Sequence, residues 1–553
     1  MRNRGDGLDR RAFLGYAALV GLGAAGARDW APQQPAPPDV AGGAGAAAPP
    51  FEIEDATIAE LQSGMESGEL TARGLVDAYL ERIDGLDRDG PALHSILDPN
   101  PDARSIADAL DRERKSKGSR GPLHGIPVLL KDNVATADRM TTTAGSLALE
   151  GSIAPRDAML AERLRAAGAV LLAKTNMSEW ANIRSSKSTS GWSGRGGQCR
   201  NPYVLDRNPC GSSSGSAVAV SANLGAVAIG TETDGSIVCP ASANAVVGIK
   251  PTVGLVSRAG IIPISRTQDT AGPLTRTVAD AAVLLGAIAG VDPRDPATAA
   301  ARRHLEPDYT RFLDSTGLRG ARIGVARRKL FGYSDAADRL AEAAIDVMKQ
   351  EGAIIVDPAD VPYAGEYDDA ELEVLLYELK AGLNGYLTGL GPDAPVKSLH
   401  EVIEFNEAHR ETEMPWFGQD LFERAQAKGP LAASRYRKAL ARCRRLSRTL
   451  GLDAVLAKHR LDALVAPTGN PPWPTDPVNG DHFTGGSSTP AAVAGYPSIS
   501  VPAGFAFGLP VGISFFGRPW SEAVLIRLAH GYEQASRLRE PPRFRRTVEL
   551  PAG

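Results

Sequence analysis

The chain has 553 residues, 43% of them apolar and 23% charged, with a formal net charge of −4. So small a charge gives no support to a nucleic-acid partner or to a basic membrane-binding surface. The body of the chain also lacks any run of about 18 apolar residues, which argues against a spanning helix there.

The first fifty residues differ from the rest. Asp9-Arg10-Arg11-Ala12-Phe13-Leu14 resembles a twin-arginine export signal, a weakly hydrophobic stretch follows, and Ala25-Gly26-Ala27 offers a small-residue cleavage site. The competing reading is an alanine-rich tail on a cytosolic protein. Residues 28–50 are rich in Pro, Gly and Ala and read as a spacer without a core. The expected organisation is thus a signal peptide at 1–27, a linker at 28–50 and a catalytic domain at 51–545. The protein is expected to be exported, periplasmic or secreted, with no stable membrane insertion once the signal is removed.

Thr71 reads as an N-cap, with Leu75, Val76, Tyr79, Leu80 and Ile83 at helical spacing behind it. Residues 126–130 form a short apolar run that ends in Lys131-Asp132-Asn133, a buried strand with polar residues at its C-terminal end. Residues 156–167 read as a helix, and 169–173 as a second buried strand followed by Lys174. Helix 216–222 and strand 226–230 continue the alternation, which implies a largely parallel sheet. In such sheets functional sites gather beyond the carboxyl ends of the strands, where Lys131 and the loop holding Ser236 fall. Residues 305–457 are more helical and more charged, an excursion from which the chain returns to β-like segments at 464–468, 497–502 and 511–515. Cys199, Cys210, Cys239 and Cys443 show no zinc-like pairing and do not demand a disulfide; they are read as structural cysteines.

Two serine- and glycine-rich loops carry the chemistry. Gly235 allows a tight turn after strand 226–230, and successive N–H groups there can converge into an oxyanion hole beside Ser236. Gly211-Ser212-Ser213-Ser214-Gly215 also fits the G-x-S-x-G elbow with Ser213 as nucleophile. That elbow needs a strand directly before it, and residues 201–210 hold no apolar run. A lysine with its ordinary pKa near ~10.4 is a poor base at neutral pH, but burial can lower it into a useful range. Lys131 and Lys174 stand in similar local settings, and spacing alone does not choose between them.

Lys131-Asp132-Asn133, Thr141-Thr142-Thr143-Ala144-Gly145-Ser146, the Gly211–Ala217 run and the Gly230–Ala241 run together resemble the amidase signature family. The similarity continues through residues 497–504 and 510–520 and spans nearly the whole mature chain. The resemblance implies an α/β amidase signature fold: a large, mixed, mostly parallel central sheet covered by helices on both faces, with a helical insertion. It further implies a Ser–cis-Ser–Lys triad, with Lys131 as base, Ser212 as bridging serine and Ser236 as acylated nucleophile. Backbone groups of Thr233, Asp234 and Gly235 would then bind the oxyanion, and no metal or cofactor is expected. Three positions depart from the common pattern: Glu232 stands where aspartate is usual, Asp234 where glycine is usual, and Val238 where arginine is common. Asp234 is expected to turn its carboxylate away from the oxyanion. The run Thr231–Pro240 looks like the bacterial peptide amidase branch, which implies removal of the C-terminal amide of peptides with release of ammonia. The alternatives are other small-molecule amidases, a non-catalytic periplasmic scaffold and an amidotransferase A-type subunit.

Overall fold

A computed structural model describes residues 52–549; the expected export signal, the whole of the expected spacer and the last four residues lie outside the described residues. In chain order the strands are β1 (Ile96–Pro99), β2 (Pro127–Lys131), β3 (Val170–Thr175), β4 (Trp192–Ser193), β5 (Gly197–Gln198), β6 (Val227–Glu232) and β7 (Val247–Lys250). They are followed by β8 (Thr270–Thr275), β9 (Arg322–Val325), β10 (Ile354–Val356), β11 (Ala463–Pro467), β12 (Ser498–Ala506) and β13 (Leu509–Phe516). Eleven of them form one sheet in the order β1-β3-β2-β6-β8-β7-β12-β13-β11-β9-β10, while β4 and β5 make a separate small hairpin.

The sheet is mixed. Parallel pairing runs through β3-β2-β6 on one side and β11-β9-β10 on the other. The strands between them, β6-β8-β7-β12-β13-β11, pair antiparallel. Every residue of β2, β3 and β6 is buried. Helices therefore cover both faces, and the continuous apolar runs of these strands follow from that double burial rather than from alternation.

Local sequence explains the flanking elements. The Thr71 hydroxyl accepts from the Gly74 N–H at 2.9 Å and starts the helix Ala72–Arg82, which buries Leu75, Val76 and Tyr79. The helix expected at 156–167 is shorter, Met159–Ala166, and is followed directly by β3. The helix Ser214–Ser221 is buried along its whole length, so its Ser, Gly, Ala and Val content reflects tight packing against β6 and β2.

The stretch 305–457 is not wholly helical. It adds β9 and β10 to one edge of the sheet before entering the long helix Asp368–Gly389. Leu376, Leu379, Leu383 and Leu387 of that helix form a second core with Met177, Trp180, Ile262 and Ile264. This core seats the excursion against the loops at the carboxyl ends of the parallel strands.

Candidate active site

β2 and β6 are parallel neighbours, so Lys131 and Glu232 leave the same edge of the sheet. Lys131 is fully buried. Its Nζ lies 2.7 Å from Ser212 Oγ, 3.0 Å from Ser213 Oγ and 3.2 Å from the Thr231 carbonyl oxygen. Burial disfavours the ammonium and pulls its pKa down to about 7, against the opposing fields of Glu232 and Asp269. Lys174 is just as buried, but donates to the Val134 and Thr141 carbonyls and to Thr142 Oγ1. It braces the loop after β2 and meets neither serine loop. The structure thus separates two lysines that spacing leaves equivalent.

Ser212 follows Gly211 across a cis peptide and is fully buried. Ser213, the rival nucleophile of the elbow pattern, is occupied otherwise. Its hydroxyl donates to the Thr231 carbonyl at 3.1 Å and accepts from the Thr231 N–H at 3.2 Å. The Ser213 N–H also donates to the Ser236 carbonyl at 3.2 Å, which ties the two serine loops together.

In the second loop, Gly235 takes φ +79°, a left-handed conformation that favours glycine. The N–H groups of Thr233, Asp234, Gly235 and Ser236 find no acceptor among the described residues, whereas the following N–H groups do. Ile237 and Val238 donate to Glu232 Oε2 at 2.8 and 3.0 Å. The extra methylene of Glu232 lets a strand-end carboxylate reach over the turn and hold it shut. Its other oxygen has no partner, and burial raises its pKa. Ser236 itself is 8% exposed.

Asp234 turns its carboxylate into the protein. Its oxygens accept from Ser488 Oγ at 2.5 Å and Thr489 Oγ1 at 2.7 Å, at the start of the helix Thr489–Ala494. Thr233 Oγ1 donates to Asp269 Oδ1 at 2.6 Å. Asp269 is pinned in turn by the Ile264 and Ser265 N–H groups, and burial pushes its pKa up to about 6. Gln268 spans from the Thr233 carbonyl to Glu371 on the long helix of the excursion. Glu371 is held well above the ordinary carboxylate range, chiefly by burial and next by the negative charge of Asp234.

Sequence reasoning missed Asp269, Gln268, Glu371, Ser488 and Thr489, none of which carries a local motif. It also misread two cysteines. Cys210 and Cys239 form a disulfide with a Cα–Cα distance of 6.0 Å, while Cys199 and Cys443 remain buried thiols. A signal was present: Cys210 stands two residues before Ser212, and Cys239 three after Ser236. Among the described residues no group of three His, Cys, Asp or Glu side chains could hold a metal.

A family model described as Amidase matches residues 74–526. The native peptide amidase of Stenotrophomonas maltophilia is 54% identical at a TM-score of 0.86, over 90% of this chain and 100% of that one. A probable amidase of Arabidopsis thaliana is 44% identical over 89% of this chain and 92% of the plant protein. The A-type component of the glutamyl-tRNA(Gln) amidotransferase of Halorhodospira halophila is 36% identical over 87% of this chain and 97% of its own length.

Proposed function

The chain belongs to the amidase family and is an amide hydrolase, and on that premise we propose that it removes the C-terminal amide of peptides through an acyl-enzyme on Ser236. One observation carries the catalytic assignment: a fully buried lysine with its pKa near neutrality, set against two serines. A neutral amine has two N–H groups and one lone pair. The Thr231 carbonyl can only accept, and the single Ser213 proton is engaged with that same carbonyl. The two amine hydrogens therefore serve Ser213 Oγ and Thr231 O, which leaves the lone pair for the Ser212 hydroxyl proton.

In this reading Ser212 passes its proton to Lys131 as it takes the proton of Ser236, and Ser236 Oγ attacks the carboxamide carbon. The free N–H groups of Thr233 through Ser236 stabilise the oxyanion. As the intermediate collapses, its NH₂ group takes the proton back along the same relay and leaves as ammonia. Water then enters and the relay runs again to free the carboxylate. No metal or cofactor takes part in these steps.

The similarity to the Stenotrophomonas peptide amidase along its whole length supports the peptide-amide substrate. The matching amidotransferase components support a second reading, release of ammonia for a partner enzyme. Ammonia release should be measured across peptide amides, amino-acid amides, fatty amides and anilides, with the chain alone. Turnover of the others without any peptide amide overturns the substrate; turnover only with added partner proteins favours the second reading.

The proposal includes export to the periplasm or medium by the Arg10-Arg11 signal, with no nucleic-acid partner and no membrane insertion afterwards. The Cys210–Cys239 disulfide supports this, because such bonds persist mainly in oxidising compartments. Among the described residues no helix is long and apolar enough to cross a membrane. Cell fractionation with an R10K/R11K variant tests the route: an unchanged distribution overturns it.

A further inference from the structure

We infer that the Cys210–Cys239 disulfide is a positioning crosslink between the two serine loops, so that turnover belongs to the oxidised enzyme; this rests on the hydrolase reading above. The bond closes a small ring around the proposed site. One arm is residues 210–213, which includes Ser212, and the other is residues 236–239, which begins at Ser236. At one end the arms meet through the Ser213 N–H and the Ser236 carbonyl at 3.2 Å. At the other they meet through the two sulfurs.

Each anchor is itself rigid. Cys210 has φ +56°, a left-handed conformation that is unusual for a residue with a side chain. Its N–H donates to Asn208 Oδ1 at 2.8 Å, and its carbonyl accepts from Ser214 Oγ at 2.6 Å. The Cys239 N–H donates to the Gly235 carbonyl at 2.8 Å, inside the oxyanion turn. Any displacement of one sulfur is therefore transmitted to Ser212 on one side and to the Gly235–Ser236 turn on the other.

The remaining ties between the arms are weaker. Asn244 bridges the Pro209 and Pro240 carbonyls at 2.9 and 2.7 Å, outside the ring. Glu232 secures the second arm to β6, whose Thr231 is hydrogen-bonded to the Ser213 hydroxyl of the first arm, so this tie too runs through hydrogen bonds alone. Hydrogen bonds of this kind tolerate shifts of several tenths of an ångström, whereas proton relay and attack depend on distances at that scale. Without the sulfur bond the arms stay near each other but not at the spacing that the relay needs.

Reduction by a small dithiol breaks the S–S bond and delivers two electrons and two protons to the cysteines, while the reagent closes to its own disulfide. Exchange with oxidised glutathione reverses the change and releases two glutathione thiols. Reductant has a route in, because Cys239 is partly exposed beside the buried Cys210, Ala243 and Trp473. The chain would accordingly gain full activity only after reaching an oxidising environment.

The test compares kcat and KM for an amide that the enzyme turns over, before and after reduction under native conditions, with thiols counted after denaturation. The count should rise from two, Cys199 and Cys443, to four. We expect kcat to fall at least about tenfold with KM within about twofold, and to recover on reoxidation. The double variant C210A/C239A, which removes any dependence on reductant access, should show the low kcat and no response to dithiol. Equal kcat in the two-thiol and four-thiol forms, or a loss confined to thermal stability, overturns the crosslink's role. Absence of turnover in the oxidised form overturns the hydrolase reading and the inference with it.

Discussion

Lys131 Nζ and Ser212 Oγ lie 2.7 Å apart although 81 residues separate them in the chain, and both are inaccessible to solvent. An ammonium in that position would lack water and any adjacent carboxylate bonded to it. The site therefore favours a neutral amine, the form that can accept a proton.

Ser236→Ala should lower kcat by about 10⁴-fold or more, and Lys131→Ala by on the order of 10³-fold. Ser213→Ala should retain more activity, a loss of about tenfold, because its hydroxyl only orients Lys131 and Thr231. Steady-state ammonia release decides this. Near-full activity of Ser236→Ala, or a Ser213→Ala defect as deep, overturns the assignment of nucleophile.

The acid limb of the pH profile should report Lys131. On the proposed mechanism the neutral amine is the active form, so kcat/KM should fall below about pH 7 and level off above it. Asp269 stabilises the ammonium by its charge, so removing that charge lowers the lysine pKa further. Asp269→Asn should thus move the limb to lower pH. A limb that stays in place or moves upward contradicts the assignment of base.

Asp234 anchors the Thr233–Ser236 turn, the proposed oxyanion site, to the start of the helix Thr489–Ala494 through two hydroxyl donors. Two hydrogen bonds to a carboxylate are worth about 3–6 kcal/mol together if neither is replaced, and only the part that positions the turn reaches the transition state. Asp234→Ala should lower kcat/KM by about ten- to a hundredfold, with Ser488→Ala showing a smaller change in the same direction. A double-mutant cycle checks it: additive losses would mean that the bond does not hold the turn.

The excursion is fastened by a buried charge cluster. Arg184 is fully buried, donates to Glu179 Oε1 at 2.5 Å and stacks 4.3 Å from the Phe417 ring. Glu413 accepts from Ser146 Oγ and the Leu147 N–H at 2.9 and 2.6 Å. Glu413→Ala should cost about 3–5 kcal/mol, the range for breaking a buried ionic cluster. Glu413→Gln should cost less, because it keeps Oε1 as acceptor for Ser146 and Leu147 and loses only the 3.8 Å ion pair of Oε2 with Arg184. Denaturant midpoints measure both, and equal losses would contradict the role of Oε1 as the working acceptor.

Much of the site was legible because its residues sit in long local motifs. The run from Gly230 to Ala241 holds the turn glycine, the free N–H groups and Ser236 within one stretch, and the Gly211–Ala217 run holds Ser212. The supporting shell was not legible. Asp269 and Ser488 reach the turn from the approach to β8 and from the segment before β12, Glu371 reaches it from the excursion only through Gln268, and nothing near them in sequence marks the encounter. The cysteines illustrate the limit: their closeness to the two serines was visible, but pairing depends on a Cα–Cα distance that only the folded loops set.

Taken alone, the sequence determined the alternation of buried strands and helices, the resemblance to the amidase signature family and the small set of residues able to do acyl transfer. Those properties are local: apolar periodicity, glycine where φ must be positive, hydroxyls in fixed motifs. Tertiary structure decided which lysine meets the serines, since β2 lies beside β6 while β3 lies one strand further away. It also decided that Ser213 is held by Thr231, that Asp234 faces Ser488 and Thr489, and that Cys210 is bonded to Cys239. Each of these is a distance between segments far apart in the chain, and strand order rather than local pattern sets such distances.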